Sequence, residues 1–200
     1  MSGAEKVRTA VLISGRGSNM ASLIAAAQGD PAYPAAITLV VSNRPGAGGL
    51  ARAAEAGVAT DAVDHKAFPD RETFERALDA RLRAAEIELV ALAGFMRVLT
   101  PWFVTRWEGR LLNIHPSLLP AFRGVDTHAR ALAAGVAEHG CSVHYVTPEL
   151  DAGPVIDRET VPVLPGDDAA TLAERVLARE HVLYPRALAE AARRLRGGQS

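Results

Sequence analysis

The chain of 200 residues has a single cysteine, Cys141, so it holds no intrachain disulfide framework, and this usage fits a reducing compartment. Basic charge is not in excess. The formal net charge is −1, which leaves no overall field for holding nucleic acid, although a local patch is not excluded. Long hydrophobic runs are missing too. Nothing approaches the roughly 18 apolar residues of a membrane span, and the first apolar run, residues 11–13, is too short for a signal-peptide core. There is no internal repeat, low-complexity segment or linker. What is present is ordinary for a soluble protein: 48% hydrophobic and 22% charged residues, in a length that suits one domain with a sizeable core. A cytosolic globular protein is expected.

Strand-like and helix-like runs alternate along the chain. Residues 9–13 read as a buried strand and residues 20–28 as a helix, stopped by Gly29-Asp30-Pro31. A strand at 37–41, a helix at 50–56 closed by Gly57, and a short, weak strand at 58–63 follow. Residues 70–85 are the clearest amphipathic helix, with Phe74, Ala77, Leu78, Leu82 and Ala85 on one face. After a strand at 89–93, Thr100-Pro101 opens a helix with an N-cap residue and proline at the first helical position. Residues 110–115 are the next strand. This order of buried strands and helices predicts an α/β fold with a doubly wound, mostly parallel, Rossmann-like sheet. Beyond His115 the pattern changes to a loop at 116–125, a helix at 127–134, and strands at 142–147 and 155–161 with no helix between them. An antiparallel C-terminal extension is therefore expected. Residues 169–196 close the chain as a long helix with a kink or break at Tyr184-Pro185, and residues 197–200 are expected to fray.

The most informative segment is Asn113-Ile114-His115-Pro116-Ser117-Leu118-Leu119-Pro120. In a strand, period 2 puts Asn113 and His115 on one face, and Pro116 ends the strand because it has no N–H for the ladder. An amide donor and an imidazole then lie side by side at the C-terminal edge of a sheet strand, where open α/β sheets bind ligands. A carbonyl that becomes an oxyanion needs such a donor and proton carrier. Asn and His before proline also end strands and cap turns, and on these two residues alone that plainer reading is the better one.

Gly15-Arg16-Gly17-Ser18-Asn19 lies between a strand and a helix. Its glycines permit a tight turn, Ser18 and Asn19 are positioned to cap the helix, and free N–H groups there favour a phosphate. Met20 stands where a dinucleotide fingerprint has its third glycine, and no acid ends the second strand, so the pattern points to phosphate rather than nicotinamide. A plain strand-to-helix turn fits these residues equally well. Asp151 lies in a loop between two strands. It is either a solvated turn acid or a carboxylate that faces the imidazole, orienting it and accepting protons through water. His139, Cys141 and His144 match no standard zinc spacing, so no metal is expected. His144 alternates with Ser142, so both point to one side, and Cys141 reads as a small buried residue. Phe95-Met96-Arg97-Val98-Leu99 is an apolar loop that is either core or one wall of a slot for a flat aromatic ligand.

Taken together, these segments, with Ala93-Gly94-Phe95-Met96-Arg97, His139-Gly140-Cys141-Ser142-Val143-His144, Glu149-Leu150-Asp151-Ala152-Gly153-Pro154-Val155-Ile156 and Glu180-His181-Val182-Leu183-Tyr184-Pro185, resemble the phosphoribosylglycinamide formyltransferases, or GAR transformylases. These are folate-dependent enzymes of purine biosynthesis, and the resemblance runs from about residue 11 to 185. It implies one formyltransferase domain over residues 1–200, with a phosphate-binding half to about residue 100 and a catalytic and folate-binding half after it. It carries the family's catalytic set onto Asn113, His115 and Asp151. It assigns the substrate's phosphate and ribose to Gly17, Ser18, Asn19 and Glu180. It assigns 10-formyltetrahydrofolate, the formyl donor, to Arg71, Met96, Arg97, Val98, Leu99, Asn113, Thr147, Pro148, Glu149, Leu150 and Asp151, with Ser142 and His144 in support. The other implied partner is glycinamide ribonucleotide. No metal, nucleic acid or membrane is implied, and the chain is expected as a cytoplasmic monomer or homodimer.

Several positions depart from the family pattern. Arg16 replaces a small or polar residue, Cys141 a threonine or similar residue, Pro148 an acidic or polar one, and Ala152 a common glycine. Arg16 either adds to phosphate attraction or is merely exposed, and none of the changes removes a catalytic group. Phe122-Arg123-Gly124 is also similar to methionyl-tRNA formyltransferase, which normally adds a C-terminal tRNA-binding domain. Formyltetrahydrofolate deformylase normally adds an N-terminal one. Neither addition is expected here. A non-catalytic phosphosugar-binding module would explain Gly15 to Asn19 and leave Asn113, His115 and Asp151 without purpose.

Overall fold

The computed structural model describes residues 5–198, so the fraying expected at Gln199 and Ser200 lies outside the described residues. The elements run β1 (Val7–Ile13), α1 (Ser18–Gly29), β2 (Ala35–Ser42), α2 (Gly48–Glu55), β3 (Ala59–Ala62), a 3-10 turn (His65–Ala67), α3 (Arg71–Ala84) and β4 (Leu89–Leu92). They continue as α4 (Pro101–Arg106), β5 (Leu111–His115), α5 (Thr127–Ala133), β6 (Glu138–Tyr145), β7 (Val155–Pro162) and α6 (Ala169–Gly197). One seven-stranded sheet has the order β3-β2-β1-β4-β5-β6-β7. β1 to β5 pair in parallel, and β6 and β7 add antiparallel, as expected from two strands with no helix between them.

Burial on both faces explains why β1 and β4 read as continuous apolar runs. In β1, Val11 and Ile13 enter one core layer and Ala10 and Leu12 the other, all fully buried. The first layer is covered by α1, α2, α5 and α6; the second by α3 and α4. In α3, Asp70 caps the first turn by accepting the Thr73 N–H at 2.7 Å, and Phe74, Leu78 and Leu82 recur at the helical period on the buried side.

Three expectations change. α1 starts at Ser18 with Gly17 as its N-cap in the left-handed region (φ 71), and neither Ser18 nor Asn19 caps it. Thr100 does precede α4, yet its hydroxyl bonds Glu75 instead of an N–H of its own helix. The break at Pro185 is absent, and α6 runs uninterrupted through it. The lost N–H is outweighed by packing on both sides of it: Val176, Leu183, Tyr184, Ala187 and Leu188 are all buried.

Candidate active site

The chain steps outward from β1 to β2 and β3, then returns to β4 on the other side of β1. The loops after β1 and β4 part at this switch point, the usual place for a ligand crevice. Ser14 joins the two loops. Its N–H donates to the Gly94 carbonyl (3.1 Å), its Oγ–H to Asn43 Oδ1 (2.6 Å), and its Oγ accepts the Met96 N–H (2.8 Å).

Beside it lies a hollow of about 260 Å³ lined by Gly15, Arg16, Gly17, Ser18, Asn19 and Arg44, with no carboxylate in its wall. Two glycines set its shape. Gly17 holds a positive φ, and a Cβ on Gly49 would lie 2.5 Å from Ile13 Cδ1 and 3.0 Å from the Gly15 carbonyl oxygen. Arg16 and Arg44 have no ion-pair partner among the described residues. At the back, Asn19 Nδ2–H donates to Glu180 Oε2 (2.7 Å), and burial raises the Glu180 pKa against the opposing pull of that bond. Asn19 Oδ1 is buried and lacks a partner among the described residues.

The β5–β6 register pairs Asn113 with His144 and His115 with Ser142, which puts these four side chains at one side of the sheet. His144 Nδ1 faces the Tyr145 carbonyl at 2.9 Å, so Nδ1 carries the hydrogen. Burial lowers the His144 pKa, leaving Nε2 as a lone pair that accepts from Asn113 Nδ2 at 3.3 Å. The amide of Asn113 is thereby oriented, with a second N–H left over. His115 is 5% exposed; its Nε2 lies 3.0 Å from the Phe122 carbonyl and its Nδ1 3.4 Å from Asp151 Oδ2. Asp151 reaches it because the loop after β6 folds back toward the C-terminal end of β5. The residue itself sits at φ 50, a conformation aspartate tolerates better than most. Its Oδ2 accepts the Gly124 N–H (2.9 Å) and its Oδ1 lies 3.7 Å from His144 Nε2. Ser142 does not offer its hydroxyl to the site. That oxygen accepts the Leu119 N–H (3.0 Å) and donates to the Ser117 carbonyl (2.7 Å), holding the turn after His115.

A cavity of about 380 Å³ opens on the other side of Asn113. Met96, Arg97, Val98 and Leu99 form one wall, and Thr147, Pro148, Leu150 and Asp151 another. Its rim is apolar yet open to water, with Met96 74% and Val125 79% exposed. Arg71 and Glu149 are not in its wall: Arg71 is the exposed first residue of α3, and Glu149 pairs with Arg123 at 2.9 Å. A third hollow, lined by His115, Thr127 and His128, shares Gly94 and Met96 with the glycine-lined hollow and Met96 and Asn113 with the apolar cavity, so the three are contiguous. Arg44 stands just after β2, Gly49 beside another glycine and His128 at the start of α5, and none of the three carries a further sequence signal. His139 is packed between His128 and Phe122, and burial pushes its pKa down to about 4. The Cys141 thiol is buried and pushed up to about 12, which makes it an inert core group. Among the described residues no three His, Cys, Asp or Glu side chains converge as a metal site, and no helix is long and apolar enough to cross a membrane.

A hollow without a carboxylate in its wall, an amide–imidazole–carboxylate set and an open apolar cavity thus lie together at one switch point. The chain belongs to the formyl transferase family, whose model matches residues 7–188. It is 47% identical over 175 residues to phosphoribosylglycinamide formyltransferase of Escherichia coli K12, covering 88% of this chain and 82% of that one. It is also 47% identical to the human trifunctional purine biosynthetic protein adenosine-3, covering 92% of this chain and 18% of that protein. The chain spans only 13% of the corresponding trifunctional protein of Drosophila pseudoobscura pseudoobscura, at 50% identity. Its fold is similar to the crystal structure of phosphoribosylglycinamide formyltransferase from Brucella melitensis, with a TM-score of 0.90 and 50% identity, covering 94% of this chain and 96% of that one.

Proposed function

We propose that this chain is a folate-dependent phosphoribosylglycinamide formyltransferase. It moves the formyl group of 10-formyltetrahydrofolate to the amine of N1-(5-phosphoribosyl)glycinamide in purine biosynthesis, releasing tetrahydrofolate. The observation that carries this reading is the continuity of the three hollows, with Asn113, His115 and Asp151 where a phosphosugar from one side would meet a flat apolar molecule from the other. In this reading residues 1–200 are one formyltransferase domain. Gly17, Ser18 and Asn19 hold the phosphate and Glu180 the ribose or glycinamide end. Residues 96–99 and the loop from Thr147 to Asp151 enclose the folate. The exposed apolar rim fits a pteridine, which covers it on binding.

The donor supplies an electrophilic formyl carbon; the protein supplies position and charge. Asn113, already oriented by His144, gives its spare N–H to the formyl oxygen as that oxygen gains negative charge, worth roughly 3 kcal/mol. Protonated His115 is the second donor. Both its nitrogens face acceptors, Phe122 and Asp151, so one of these contacts is exchanged for the substrate oxygen. Asp151 balances the imidazolium charge. Through water it also passes the proton lost by the attacking amine to the departing folate nitrogen. No covalent enzyme intermediate is needed, because the amine is itself a nucleophile. The partners are then two small molecules, without nucleic acid, membrane or metal, for a cytoplasmic monomer or homodimer.

The test offers 10-formyltetrahydrofolate with glycinamide ribonucleotide, with water alone, or with aminoacylated initiator tRNA. Consumption of the formyl group with the ribonucleotide only is the expected result. Consumption with water or tRNA reassigns the chain to another formyl-folate enzyme.

A further inference from the structure

α3 buries two acids where it packs on α4. Asp79, 5% exposed, grips the far end of α4: its oxygens accept from Arg83 Nε (3.0 Å), Arg106 Nε (2.8 Å) and Trp107 Nε1 (3.0 Å). Glu75, 0% exposed, grips the near end. Its Oε1 accepts the Thr100 N–H at 2.8 Å, and its Oε2 is bonded to the Thr100 hydroxyl. Beside it, the Arg97 guanidinium lies 5.2 Å from the centre of the Phe74 ring on α3.

The segment between β4 and α4 therefore has two polar anchors. Ser14 fixes it at Met96, and Glu75 fixes it at Thr100. The residues between them, Arg97, Val98 and Leu99, are the wall of the apolar cavity. Leu99 packs against the core beneath α3 and α4, but Val98 is 56% exposed and core packing does not hold it in place. A buried carboxylate is a costly tether, and an apolar residue at position 75 would fill the same space under α4 without holding Thr100. What the acid adds is the setting of this wall.

We propose that Glu75 is a positioning residue for the formyl donor: through Thr100 it preorganises the 97–99 wall so that binding need not order it. The inference rests on the reading of this cavity as the folate site. Ordering a loosened wall would weaken donor binding while leaving the acceptor, which sits beyond Asn113, unaffected.

The experiment compares Glu75→Ala, Glu75→Gln, Asp79→Ala and Thr100→Ala, measuring donor Kd by fluorescence titration with 10-formyltetrahydrofolate, KM for both substrates, and Tm. Glu75→Ala is expected to raise donor Kd and KM about tenfold, about 1.4 kcal/mol, with the acceptor KM unchanged. Glu75→Gln keeps donor binding, because its carbonyl still accepts the Thr100 N–H and its amide N–H donates to Thr100 Oγ. Asp79→Ala loses stability but not donor affinity. Thr100→Ala, which spares the backbone bond, moves donor KM in the same direction by less and stands in if Glu75→Ala does not fold. Unchanged donor binding in Glu75→Ala (or, if it does not fold, in Thr100→Ala), equal weakening by Asp79→Ala, or loss in Glu75→Gln matching Glu75→Ala each overturns the inference. A wild-type protein that binds no formyl-folate overturns the cavity reading itself, and the inference with it.

Discussion

Replacing Asp151 with asparagine separates the charge of its carboxylate from its shape. Asp151 Oδ2 accepts from Gly124 and faces His115 Nδ1 at 3.4 Å, while Oδ1 faces His144 Nε2 at 3.7 Å. With the asparagine oxygen in the Oδ2 place, the Gly124 bond is kept, and asparagine accepts the left-handed backbone as readily as aspartate. What is lost is the attraction between carboxylate and imidazolium, roughly 5 kcal/mol before desolvation at this distance and an effective dielectric of about 20. Both partners are more than nine-tenths buried, so desolvation offsets part of this. About 3 kcal/mol of transition-state stabilisation remains, the usual size of one preorganised charge partner. Steady-state transfer from 10-formyltetrahydrofolate should show kcat lower by about 10²-fold, with Tm within about 4 °C of wild type. A kcat within about threefold of wild type, in a variant that folds this well, would refute the role given to the charge.

The proposal that the glycine-lined hollow takes the phosphate yields a charge test: Arg44→Ala should raise KM for glycinamide ribonucleotide about tenfold and flatten its salt dependence. The same variant should leave turnover of the dephosphorylated analogue unchanged; equal losses on both acceptors would remove Arg44 from phosphate recognition. Gly153→Ala places a Cβ 1.8 Å from the Tyr145 carbonyl oxygen. It should cost about 1–3 kcal/mol in thermal unfolding and displace the Asp151 loop, so native Tm together with native kcat would contradict the packing. His139 is held neutral, with a folded pKa of about 4 below its unfolded value of 6.5. Its contribution is therefore fully present above pH 6.5 and is lost as pH falls toward 4, up to roughly 3 kcal/mol. Buried Glu180 has the opposite sign, because its pKa is raised. The check is the Tm difference between wild type and His139→Gln across that window; a difference independent of pH would deny the linkage.

The fold was legible wherever one local period decided it. β1 and β4 read as buried strands because apolar side chains on both faces leave no alternation, and α3 reads as a helix because Phe74, Leu78 and Leu82 return at the helical period. Asn113 and His115 were placed together by period 2 alone. Asp151 was not: its approach to His115 depends on the return of the loop after β6, on a positive φ, and on the Gly124 bond, and no spacing encodes those. Only the family resemblance points to Asp151, and it points equally to Arg71 and Glu149, which lie outside the cavity wall: Arg71 is the exposed first residue of α3 and Glu149 pairs with Arg123. The start of α1 shows the same limit from the other side. Ser18 and Asn19 have the chemistry of caps, but the Asn19 amide is claimed by Glu180, 161 residues away. Ser142 goes to the turn at Ser117, and Thr100 to Glu75. In each case a short polar side chain with a plausible local use is taken by a distant partner, since a buried donor is satisfied by whichever acceptor the packed chain brings to it. Apolar periodicity is local and survives in the sequence; polar pairing is decided only once the layers have packed. A site made of polar pairs is therefore read from sequence as a set of candidate residues, and its geometry, including which of them hold others in place, has to come from the fold.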